Sequence, residues 1–244
     1  MRRRIIVTLA VLAVIALLPQ IAVAQEADPQ TSDTTAEQRV HPVDAIKRRA
    51  AEAIHRRLEA LDRLGVRVRT DDHVTDGHAA QLTKHYARAA EGLTELGREI
   101  AAATSHEELR ELVPLIATDY RVYLVIIPKS HEVLVSDHMA DAADRLSDAA
   151  AVVLAAIERA EQAGYDMTEA RHWLGVARDE ITAVIRGAVP VADKVVGLTA
   201  ADWEEPAKTL LTNGRAALRQ GREDLHDAIR ALGKARDAIA DAIG

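Results

Sequence analysis

His131 and His138 stand seven residues apart, and Asp141 follows three residues after the second. On a helix the two imidazoles share a face but lie about 10 Å apart along the axis, too far to hold one ion alone. His138 with Asp141 is the workable metal pair, to be joined by His85 or His172 only if packing brings them close. His131-Glu132 does not continue into the His-Glu-x-x-His pattern of zinc peptidases, because Val occupies position 135. The ten histidines read more simply as surface or interfacial groups titrating near neutrality.

Two other stretches could carry chemistry. In Thr70–Gly77 (TDDHVTDG), Asp72, Asp76 and Gly77 match positions one, five and six of a calcium loop. Val74 and Thr83 fall where a third and a bidentate ligand are required, so helix capping by Thr75 or Asp76 explains the loop better. The second is Asp119-Tyr120-Arg121-Val122-Tyr123. On one helix Asp119 can meet Tyr123, with Tyr120 and Tyr123 turned toward partner helices. Two readings stand for it: core tyrosines with satisfied hydroxyls, or a patch of Asp119, Tyr120 and Tyr123 that grips a ligand or second protomer. Nucleophile-elbow, phosphate-loop and dinucleotide motifs are absent, and there is no cysteine. The residues therefore predict no catalytic centre, no cofactor site and no committed metal site.

These candidates sit in a chain whose apolar residues recur at helical spacing nearly throughout. Met1–Arg4 is basic, Ile5–Leu18 apolar, and Ala22-Val23-Ala24 a small-residue cleavage site. The pattern predicts a signal peptide over residues 1–24, cleaved after Ala24, and hence a secreted or extracytoplasmic protein. The apolar run is shorter than a membrane span and contains Pro19, and no later segment is apolar enough to cross. Residues 25–41 lack periodicity and read as a disordered leader. The remaining chain, 42–244, is the helical bundle.

Helix 1 is expected from Pro42 to Leu64, with Gly65 as its stop. Helix 2 follows over about Gly77–Ala103, on the seam Leu82, Tyr86, Ala89, Leu93, Leu96 and Ile100. Ser105-His106-Glu107-Glu108 is a capping box that opens one long helix over 106–163, roughly 80 Å if continuous. Pro114 and Pro128 should bend it, and a break near Pro128 is the alternative. Helix 4 spans about Asp166–Val196 with a kink at Pro190, and the turn carrying Trp203 caps the bundle end. Helix 5, Pro206–Ile243, has the most regular pattern in the chain. Leu211, Leu218, Leu225, Leu232 and Ile239 recur every seven residues, each followed three places later by a small residue, Gly214 and Gly221 first. Large and small positions in alternation let helices approach closely.

The fold expected is therefore all-α: an elongated bundle of about five helices around one long central helix, with coiled-coil-like packing. Two three-helix units sharing helix 106–163 would fit the lengths, and a bend at Pro128 would instead give one compact bundle. DYRVYLVIIPKSH, with TDDHVTDGHAAQLT upstream and the LTAADW turn before the last helix, resembles a group of exported helical-bundle proteins of actinobacteria. The resemblance implies export and helicity, and carries over no activity and no functional residue.

The formal charge of −7, made more acidic once Arg2, Arg3 and Arg4 are removed, argues against nucleic acid as a partner. Without Phe, and with only 2% aromatic residues, there is little material for stacking sugars or bases. The function expected is non-enzymatic: contact with a protein or cell-envelope partner, self-association included. A carrier of an apolar ligand or lipid-surface binder is the first alternative, and a metal-binding bundle the second.

Overall fold

The computed structural model describes residues 42–244, so the expected signal peptide and leader lie outside the described residues. The protein is an all-α bundle; no strand occurs among the described residues. Three-four apolar stripes produce α1 (Pro42–Thr70), α2 (Asp76–Ala102) and α3 (His106–Thr118). A π-helical turn, Val122–Ile126, leads into α4 (Ile127–Gln162). Then come α5 (Thr168–Gly187), the five-residue α6 (Val191–Val195) and α7 (Lys208–Ile243). Helices α1, α2 and α3 pack on one another; α4, α5 and α7 form a second three-helix group, with α6 laid against α4 and α7. One apolar core runs through both groups.

Local chemistry sets several boundaries. Thr75 caps α2, its hydroxyl accepting from the His78 amide at 3.3 Å. The predicted seam of α2 is buried from Leu82 to Ile100. The capping box at α3 is present in both directions: Glu108 N–H donates to Ser105 Oγ at 3.2 Å, and Ser105 N–H to Glu108 Oε2 at 3.3 Å. Along α7, Leu211, Leu218, Leu225, Leu232 and Ile239 are buried, as are Gly214 and Gly221. A Cβ at Gly221 would sit 2.5 Å from Ala188 Cβ, so this glycine sets the approach of the preceding turn. Ala242, the last small residue of the pattern, is exposed.

Three boundaries differ from expectation. Gly65 does not stop α1, which runs on to Thr70. A mid-helix glycine costs about 1 kcal/mol, less than the burial of Val68 returns one turn later. The central segment is not broken at Pro128. Its break lies at Asp119–Arg121, where Arg121 takes the left-handed conformation (φ 40°). The π turn that follows widens the backbone where the Pro128 ring would otherwise strike the carbonyl four residues back, and Pro128 then occupies the first turn of α4. Finally, the single helix expected to Val196 is two, α5 and α6, separated at Ala188–Pro190.

Candidate functional site: a polar belt on α4

A helix at the centre of a bundle should bury apolar residues, yet the first turns of α4 bury Lys129, Ser130, Glu132, Ser136 and Asp137. Each must find partners or carry a desolvation cost of several kcal/mol. The partners come from four elements. Lys129 Nζ donates to the carbonyls of Leu198 (2.6 Å) and Val196 (3.2 Å), just past the end of α6, and to Nδ1 of His85 on α2. His85 must therefore be neutral at that nitrogen; burial and the Lys129 charge push its pKa down to about 4. Burial pushes Lys129 itself down to about 7, with Asp202 acting in the opposite sense.

Ser130 accepts from the Tyr86 hydroxyl at 2.7 Å and donates to the Ile126 carbonyl at 2.6 Å. Burial raises Tyr86 to about 12, against the pull of that hydrogen bond, so it is a phenol and not a base. Ser136 explains the gap between α5 and α6. Its hydroxyl is shared between the carbonyls of Val189 (2.8 Å) and Ala188 (3.0 Å), and its oxygen accepts from the Ala192 amide at 3.1 Å. The backbone groups released by the break are thus satisfied by one side chain.

Glu132, only 3% exposed, faces Arg215 of α7 with Oε1 at 3.4 Å, while Oε2 is buried without a partner beside Gly214. Burial raises its carboxyl to about 7, with Arg215 opposing. Half-buried His131, next to it on α4, also carries an orphan: its Nδ1 has no partner, and burial, then Arg67, lower its pKa.

The belt ends where the connection between α1 and α2 lies across α4. Asp137 accepts from the Thr75 amide (3.1 Å) and pairs with His78 Nδ1 (2.9 Å), whose Nε2 meets Asp193 of α6 at 3.1 Å. Burial works against the charged ring, but the bonds to Asp137 and Asp193 prevail and hold His78 above the ordinary histidine value. His138 Nε2 meets Asp71 at 2.8 Å, and His73 Nδ1 meets Asp141 at 3.3 Å, with Arg145 also on Asp141 at 2.9 Å. The His73 and His138 rings lie 4.5 Å apart. Burial of Asp71 favours its neutral form, but the bonds from His138 and the His73 amide lower its pKa overall.

The metal candidates land accordingly. His138 and Asp141 face separate partners on the connection, and no three His, Asp or Glu side chains among the described residues are arranged to hold an ion. Asp72 and Asp76 of the calcium-like pattern are exposed. The Asp119–Tyr123 stretch is split by the helix break, so Asp119 and Tyr123 do not share a helix face. Tyr120 packs on α2 at Gly92, where a Cβ would lie 2.6 Å from its ring. Tyr123 turns outward and is 47% exposed beside exposed Leu124, with the Arg57 guanidinium 4.9 Å from its ring. Arg121 reaches the half-buried Trp203 ring at 5.8 Å.

Lys129, Ser130, Ser136, Asp137, His78 and Asp193 escape sequence reasoning. The four on α4 leave one sequence signal, polar residues at 129, 130, 136 and 137 in register with apolar Val133, where helical spacing expects core; His78 and Asp193 leave none. Apart from the belt, a groove of about 410 Å³ lies between α1 and the end of α2, floored by Ile54, Leu58, Gly97 and Ile100 and edged by Lys47 and His55. No helix among the described residues is long and apolar enough to cross a membrane. No family model, no curated protein and no solved structure matches the chain.

Proposed function

We propose that this is an exported, non-enzymatic bundle protein that acts by contact with a protein or cell-envelope partner. The observation that carries the reading is how the belt is used. Its lysine, serines and aspartate are spent on backbone carbonyls, amides and opposite charges within the fold, which is how a scaffold is held rather than how a substrate is met. What faces outward at the centre of the chain is instead the Tyr123–Leu124 platform with Arg57 beside it, a combination of aromatic and guanidinium groups typical of binding surfaces. The signal-like N terminus and the resemblance to exported helical proteins support the compartment.

The groove between α1 and α2 favours a second reading, an apolar-ligand carrier whose ligand ends in an anionic group near Lys47 and His55. Native mass spectrometry with light scattering separates the two. The interaction reading expects the polypeptide mass, alone or in whole multiples. A reproducible added mass, whether a lipid, another small molecule or a metal ion, overturns it.

A further inference from the structure

The connection between α1 and α2 is held down by ion pairs of one kind. His78 reaches Asp137 of α4 and Asp193 of α6; Asp71 reaches His138 of α4; His73 reaches Asp141 of α4. We propose that residues 71–78 form a proton-charged latch: His78, protonated on both ring nitrogens, locks the connection onto α4 and α6, and loss of that proton frees it.

Charge and hydrogen-bond valence carry the inference. The bonded cluster holds four carboxylates, Asp71, Asp137, Asp141 and Asp193, and one permanent cation, Arg145. The excess is acidic, and an imidazolium at His78 offsets part of it between Asp137 and Asp193. Asp72 and Asp76, exposed on the connection itself, add to the negative side. His78 is decisive, because both ring nitrogens face carboxylate oxygens, and only the doubly protonated ring can donate to both. A neutral ring would set a lone pair against one of those oxygens. The His73 and His138 rings lie tilted by 53° at 4.5 Å, and each faces its own aspartate. Asp137 is 6% exposed and also accepts from the Thr75 amide, so the latch holds backbone as well as side chain.

Amide hydrogen exchange on the intact chain, corrected for the intrinsic pH dependence, tests this. Peptides covering 71–80 are expected to lose about tenfold more protection between about pH 5.5 and pH 8 than α7 peptides, which report the change in global stability over the same range. In the H73Q/H78Q/H138Q variant the connection is expected to exchange fast at both pH values. Equal protection of the wild-type connection at both pH values, or a loss that persists unchanged in the variant, overturns the latch. Should that variant not fold, spin labels on D72C and D148C, in a chain with no native cysteine, read the same motion in the wild-type cluster. A distance distribution that broadens at the higher pH supports the latch, and one that does not change overturns it.

Discussion

Gly214 of α7 is pressed against the carboxylate of Glu132, so closely that a Cβ there would overlap Oε2. A glycine in the second turn of a 36-residue helix is justified by this contact: it lets α7 approach α4 over a buried acid. Gly233, on the same helix, has nothing within 4 Å of where its Cβ would be. Opposite outcomes are therefore expected from the same substitution. Gly214→Ala should destabilise by about 2 kcal/mol through overpacking, and Gly233→Ala should stabilise by about 0.5–1 kcal/mol through helix propensity. Denaturant unfolding of the two variants checks both signs.

Glu132 should make stability fall as pH rises. Its carboxyl titrates at about 7 in the folded protein against 4.5 ordinarily, so folding favours the protonated form. The contribution is complete below about pH 4.5 and is lost as pH climbs through about 7. Glu132→Gln mimics the protonated acid and should be more stable than the parent above pH 7, by about 3 kcal/mol at most. Difference curves of unfolding free energy against pH, parent minus variant, isolate this group from others that titrate nearby.

His85 should act in the opposite sense. Its folded pKa, about 4, lies below the ordinary 6.5, so its contribution is complete above about pH 6.5 and drains away as pH falls toward 4. His85→Gln, which keeps an acceptor for Lys129, should flatten the acid side of the stability curve and leave the alkaline side unchanged.

Ser136→Ala should be costly for so small a change. It orphans the buried Ala192 amide and the shared bonds to the buried Ala188 and half-buried Val189 carbonyls at the break between α5 and α6. The expected loss is about 2–4 kcal/mol, larger than the removal of one exposed hydroxyl, and thermal unfolding reads it.

The seams of α2 and α7 were legible because each residue's fate depends on its own helix face: Leu82 to Ile100 and Leu211 to Ile239 show period and partner type together. The capping box at Ser105 was legible for the same reason, being complete within four residues. What the local pattern could not carry were features set by distant partners. Gly65 looks like a stop until Val68 is seen to be buried, and Pro128 looks like a break until the π turn ahead of it is known. Ser136 pairs with groups more than fifty residues away, as His78 does with Asp137. Nothing in the spacing of Lys129, Ser130 and Asp137 shows that the acceptors and donors waiting for them lie in α2, in the connection and after α6.

The account rests on the outward platform at the helix break being a contact surface, and site-specific photocrosslinking tests that most directly. A photoreactive phenylalanine replaces Tyr123 in one chain and the exposed Glu223 of α7 in another, each produced in the native cells. A discrete protein adduct from position 123 and none from 223 is the predicted result, with an adduct of twice the chain mass marking self-association. No adduct at 123, or the same adducts from both positions, would contradict it.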